Sequence, residues 1–144
     1  MEPYSKKLDL IEECQKRLET IANENPTLIK YRNSWKDKDA TERNIQKIIE
    51  AILDIGKMVV ADRKLREPGN NREVFIILEE NGLFPSEFIP LMDKMIGMRN
   101  IIVHGYNRID DSIVYGVLKK NLDGIKNLNE HFKRAIVKIP ADLK

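Results

Sequence analysis

Apolar residues recur at helical spacing along almost the whole chain. Leu8, Ile11, Leu18 and Ile21 form a first stripe, ended by Asn25-Pro26. A second, cleaner stripe runs through Ile45, Ile48, Ile49, Ile52, Ile55, Val59 and Val60. Steps of three and four residues put such side chains on one helix face, and Thr41 or Asp39 is the expected cap at the start of this second helix. Glu67-Pro68-Gly69-Asn70-Asn71 reads as a loop. Glu73 to Glu80 reads as a short helix, stopped by Asn81-Gly82 and Pro85. Ser86 opens the next segment. Glu87 complements the helix dipole in its first turn, and Pro90 falls where a missing N–H costs least. The last long segment begins at Asp110-Asp111-Ser112 and continues through Val114, Val117, Leu118, Ile125, Leu128, Phe132, Ile136 and Ile139 to Pro140. Gly116, Asn121 and Gly124 are the places where it bends or breaks. No strand alternation and no repeat interrupts this pattern. The expected fold is all-α, an antiparallel helical bundle.

The segment from Phe88 to Val103 departs from one-sided patterning. Phe88, Leu91, Met92, Met95 and Ile102 can face one neighbour, and Ile89, Ile96 and Val103 another. A helix this apolar is either central in the core or covered by a second copy of the chain. Its small or polar exceptions fall in one line: Asp93, Gly97, Asn100 and His104, at i, i+4, i+7 and i+11.

Composition narrows the classes. The 144 residues suit a single domain spanning 1–144, long enough to bury a core. With 25 Lys and Arg against 23 Asp and Glu, the net charge of +2 does not mark a strong polyanion binder. The charge is uneven, however. Lys119, Lys120, Lys126, Lys133, Arg134 and Lys138 are opposed only by Asp123 and Glu130. Most of these cations belong to a solvated helix face; the rest can steer a nucleic acid towards a cleft. Cys14 is the only cysteine, which excludes an intrachain disulfide and a cysteine metal cluster. Met1 to Lys7 carries no secretory run and no span is long enough to cross a bilayer, so a cytoplasmic protein is expected.

Chemistry concentrates in Arg99-Asn100-Ile101-Ile102-Val103-His104-Gly105-Tyr106. A guanidinium beside an imidazole supports phosphodiester cleavage without a metal: the arginine neutralises phosphate and the imidazole moves a proton near neutral pH. Gly105 is a natural residue for ending a helix, which puts His104 in the last turn. On an ideal helix a five-residue step leaves Arg99 roughly 140° from His104. One rigid helix therefore struggles to aim both at one phosphate, and a second protomer across a two-fold axis is the simpler solution. The plainer readings stand beside this. His104 can be a helix-end residue, with Tyr106 packing on Ile101. Arg99 can be an ion-pair partner of Asp54 or Asp93. His131, among Glu130, Lys133 and Arg134, reads as a solvated surface residue, and Trp35 and Tyr31 as anchors of a loop to the core.

R-N-I-I-V-H-G-Y resembles the R-x-x-x-x-H-x-Y signature of HepT-type toxins, which are HEPN-domain ribonucleases. The flanks agree. Asp110 follows the motif closely. Thr41-Glu42-Arg43-Asn44-Ile45-Gln46 and Ala51-Ile52-Leu53-Asp54-Ile55 look like the family's second helix, and Glu80-Asn81-Gly82-Leu83 like the turn before its motif helix. The resemblance covers the chain from about the second helix to the end. It implies a single HEPN-like domain, a homodimer whose two motifs meet in a cleft, and metal-independent RNA cleavage that leaves a cyclic phosphate, with no cofactor. By carry-over, Arg99 holds the scissile phosphate and His104 assists proton transfer at the 2′-hydroxyl or the leaving oxygen. Asn100 orients phosphate or its neighbours. Tyr106 matches the residue that a cognate minimal nucleotidyltransferase antitoxin adenylylates, and a bulky anion there would repel RNA phosphate. One departure is Gly105, where relatives carry a larger, often basic side chain; its absence removes a possible phosphate contact.

Two other classes remain open from the residues alone. One is a non-catalytic module that binds nucleotide or serves as the helical partner subunit of a nucleotidyltransferase; the other is a plain dimeric scaffold. The chain is not itself a nucleotidyltransferase. Asp37-Lys38-Asp39 imitates that fold's paired carboxylates, but Asn33-Ser34 replaces the expected Gly-Ser and no strand is visible to present them. No phosphate-cradling glycine loop, zinc spacing or nucleophile elbow is present in the sequence.

Overall fold

A computed structural model describes residues 2–105 and 109–137, with seven helices in chain order among them. They are α1 (Glu2–Glu24), α2 (Leu28–Arg32), α3 (Trp35–Asp62), α4 (Asn71–Glu80), α5 (Ile89–His104), α6 (Asp111–Lys120) and α7 (Leu122–Val137). A single 3₁₀ turn, Ser86–Phe88, leads into α5. No described residue is in a strand, and no helix is long and apolar enough to cross a membrane.

Helices α1 and α3 form the spine and run antiparallel. Tyr4 near the start of α1 donates a hydrogen bond to Asp62 at the end of α3, Lys7 pairs with Asp54 at 2.8 Å, and Asn25 just past α1 donates to Asp37 at 2.8 Å. Helix α7 lies along the other side of α1, where Gln15 donates to the Leu122 carbonyl at 2.9 Å and Lys133 meets Glu12 at 3.1 Å. The core is made by the stripes read from sequence: Leu8, Ile11, Leu18 and Ile21 from α1, and Ile45, Ile48, Ile49, Ile52, Ile55, Val59 and Val60 from α3 are all buried. Val114, Val117, Leu118, Ile125, Leu128 and Phe132 close it from α6 and α7.

Several boundaries differ from expectation. Helix α3 begins at Trp35, capped by Ser34, whose Oγ accepts from the Asp37 N–H at 3.2 Å. Thr41 and Asp39 are therefore interior helix residues, and Thr41 is fully buried. The polar run from Lys36 to Arg43 hid this start, because a half-exposed turn carries no apolar period. Helix α2 is a single short turn after Pro26, capped by Thr27. The last segment is two helices, divided at Asn121, whose N–H bonds the Val117 carbonyl at 3.0 Å. Asp37 and Asp39 sit on α3, so they form no strand-borne carboxylate pair.

Two aromatic expectations resolve in opposite directions. Tyr31 is fully buried and packs its ring, tilted by 38°, with its centroid 5.4 Å from that of Tyr115, so it anchors α2 to the core. Trp35 is 66% exposed, with Lys36 Nζ over its ring, and is not part of the core. His131 corrects its surface reading. Its ring packs 5.9 Å from Phe88 and 6.4 Å from Phe84, and its Nε2 lies 3.2 Å from the Leu83 carbonyl oxygen. The α6–α7 break and the turn before α5 bring these aromatics together, a juxtaposition invisible in the local run of charges around residue 131.

Candidate active site

Helix α5 is seated by Met92, Met95, Ile96 and Met98, all buried against the bundle. Pro90 occupies its first turn, as its missing N–H permits. The helix is not surrounded, however. Ile101 is 44% exposed and Val103 41%, and Gly97, Asn100 and His104 are exposed with them. The polar strip read from the sequence therefore faces outward, and apolar side chains flank its far end.

The far end is fixed by backbone geometry. His104 is the last residue of α5, and Gly105 follows at φ 62° with its N–H on the Ile101 carbonyl at 3.1 Å. That left-handed conformation is a standard helix stop and strains any residue with a β-carbon. Tyr106 lies outside the described residues. On the other side of that segment, Asp110 caps α6, its Oδ1 accepting from the Ser112 N–H at 2.8 Å and the Ser112 hydroxyl at 2.7 Å. The hydroxyl bond first, then the backbone bonds, hold the Asp110 carboxyl below its ordinary pKa. Asp111 reaches back to Lys38 of α3 at 3.4 Å, and both side chains are largely buried.

Arg99 points elsewhere. Its side chain is only 25% exposed, and its Nε stands 3.8 Å from Glu50 Oε1 on α3. That same oxygen accepts from Gln46 Nε2 at 3.1 Å. On the guanidinium's other side, Nη1 donates to Asn100 Oδ1 at 3.4 Å. Asp54 and Asp93, the partners expected for Arg99, are engaged instead by Lys7 and by Arg72, the latter at 2.7 Å. A five-residue helical step accounts for the result: Arg99 falls on the α3 side of α5 while His104 falls on its exposed side. Asn100 stands between the two. Beside it, Asn71, Arg72 and Gly97 line an open groove between α4 and α5.

The arrangement thus offers a half-buried guanidinium for an anion and an outward imidazole for proton transfer, on one helix and in different directions. Among the described residues no group of three or more His, Cys, Asp or Glu gathers as a metal site. Glu50 and Gln46 are the site neighbours that sequence reasoning missed. Their one-turn spacing is a signal, but Glu42 and Asp54 share the helix and its chemistry, and only the crossing point of α3 and α5 selects among them.

Comparison with known proteins bears on the family and the fold. The profile of the family described as Ribonuclease HepT-like matches residues 10–132, from within α1 to within α7. An mRNA nuclease HepT of Shewanella oneidensis is 26% identical over 127 residues, 88% of this chain and 93% of that protein. A tRNA nuclease HepT of Aphanizomenon flos-aquae is 32% identical over 92 residues, 64% of this chain and 63% of that protein. A solved structure of a tri-AMPylated Shewanella oneidensis HEPN toxin in complex with MNT antitoxin superposes with a TM-score of 0.84 at 25% identity, covering 93% of this chain and 98% of that one. The match begins a helix earlier than the motif-flanking residues suggested, within α1, whose apolar stripe is part of the core.

Proposed function

The chain belongs to the HepT-like ribonuclease family, and from that premise we propose that it is an endoribonuclease toxin of a toxin–antitoxin pair, with Arg99 and His104 as its catalytic residues. The reaction is transesterification within RNA. The 2′-hydroxyl oxygen attacks the adjacent phosphorus, the bond to the 5′-oxygen breaks, and a cyclic phosphate and a 5′-hydroxyl end result. Arg99 supplies positive charge to the phosphate oxygens, where charge builds in the transition state. His104 moves a proton at the 2′-hydroxyl or at the leaving oxygen. Asn100, already bonded to the Arg99 guanidinium, helps orient the phosphate.

One observation carries the reading: both chemistries sit in the last turns of a single helix whose end is locked at Gly105. Because the two groups diverge around that helix, the site is composite. A second copy of the chain, docked on the exposed strip of Gly97, Ile101 and His104, completes it as a homodimer. Regulation follows the same geography. Adenylylation of Tyr106 by a cognate nucleotidyltransferase antitoxin places a nucleotide's bulk and charge two residues from His104 and blocks RNA.

The deciding experiment incubates purified protein with RNA in excess chelator, comparing wild type with His104→Ala and Arg99→Ala. Cleavage by wild type alone is expected. Equal cleavage by all three rejects the assignment.

A further inference from the structure

Arg99 Nε is buried and has no hydrogen-bond partner among the described residues. The Glu50 carboxylate stands 3.8 Å from it, beyond hydrogen-bond reach but within ion-pair distance. Glu50 does not hold this place alone. Gln46, one turn earlier on α3, donates to the Glu50 oxygen that faces Arg99. The guanidinium therefore lies between two fixed points: a braced carboxylate on its Nε side and the Asn100 amide oxygen, 3.4 Å away, on its Nη side. Arginine is a planar fork, and fixing one edge aims the other. A carboxylate on the Nε side and the Asn100 oxygen on Nη1 leave the remaining N–H groups of the Nη edge for phosphate.

From this geometry we propose that Glu50, braced by Gln46, is a positioning residue that aims the Arg99 guanidinium at the scissile phosphate. The inference rests on the nuclease reading above and deepens it. Glu50 touches neither RNA nor the reacting atoms. It acts through Arg99, on the long rigid helix α3, and so couples the bundle's spine to the motif. The 3.8 Å separation suits this role, since a tight bidentate pair would occupy the fork that phosphate needs.

The test measures single-turnover cleavage of a single-stranded RNA, and binding of its 2′-O-methyl analogue, which lacks the nucleophile. The variants are Glu50→Ala, Glu50→Gln and Gln46→Ala, with Arg99→Ala as reference and folded fraction checked by circular dichroism. Misaiming a catalytic group costs about ten- to a hundredfold in rate. Glu50→Ala is expected to lose that much turnover per folded molecule while analogue binding changes by less than about threefold. Glu50→Gln keeps an oxygen for Gln46 and Arg99 and is expected to recover most of the rate. Gln46→Ala, at a half-exposed position, is expected to show a smaller loss in turnover. Unchanged turnover in folded Glu50→Ala and Gln46→Ala overturns the inference, because a purely structural residue changes folded fraction and not rate. Faster turnover overturns it too, since Glu50 would then be a competitor for Arg99. If wild type cleaves nothing, or Arg99→Ala cleaves like wild type, the nuclease reading fails and this inference with it. If wild type cleaves, Arg99→Ala is inert and folded Glu50→Ala is unaltered, only the inference fails.

Discussion

Gly56 of α3 and Val74 of α4 meet so closely that a β-carbon on the glycine would stand 2.8 Å from Val74 Cγ1. The helix crossing exists because position 56 has no side chain. Val74 is fully buried and β-branched, so it has no spare rotamer to offer. Helix α4 hands the chain on to α5, so this contact also sets where the motif helix starts.

Gly56→Ala is accordingly expected to destabilise the protein. Alanine gains up to about 1 kcal/mol in helix propensity, but overpacking a fixed core costs about 1–3 kcal/mol. The net expectation is a loss of up to about 2 kcal/mol, read as a lower thermal midpoint. An unchanged or higher midpoint would show that α4 slides without cost.

Gly97 makes the opposite case on α5. Beyond the helix's own backbone, no described residue stands within 4 Å of the position a β-carbon would take there. Gly97→Ala should stabilise the isolated chain by roughly 0.5–1 kcal/mol through helix propensity alone. A bulky Gly97→Leu should instead weaken self-association, because the proposed partner copy approaches over that position. Light scattering of the two variants at equal concentration separates the effects, and a Leu variant that assembles like wild type argues for a different interface.

Gly105 tests the end of the motif helix. Its φ of 62° admits glycine and, at small cost, asparagine. Gly105→Val is expected to lose about 1–2 kcal/mol, while Gly105→Asn stays near wild type. RNA cleavage should follow the same order, since the residue that fails to stop the helix also displaces His104. Equal cleavage by Val and Asn variants would show that the helix end does not matter to the chemistry.

Alkaline pH offers an independent probe of the core. Burial, and for Tyr4 its bond to Asp62, raise the pKa of Tyr4 and Tyr31 above the ordinary phenol value. A raised folded-state pKa gives stability that is complete below the unfolded value of about 10 and is lost as pH rises beyond it. Thermal midpoints should fall steeply above that pH. Tyr4→Phe and Tyr31→Phe should each flatten the fall, and an unflattened curve would place the alkaline transition elsewhere.

The bundle was legible in the sequence because burial of a helix face leaves a 3.6-residue period, and α1, α3 and α7 each carry one without interruption. The motif, its position at a helix end, and the roughly 140° divergence of Arg99 from His104 were legible for the same reason: all are consequences of covalent spacing on one helix. Helix ends inside polar runs were not, as Ser34 shows, since capping by one hydroxyl competes with several equivalent candidates nearby. Nor were partners across helices. His131 looked solvated and joined an aromatic cluster, and Arg99, for which the sequence offered Asp54 and Asp93, meets Glu50 where α5 crosses α3. Periodicity determines which face of a helix turns inward. The axial offset at which two such faces meet depends on volumes packed at a distance, at Gly56 and Val74 among others, and only the folded chain settles it.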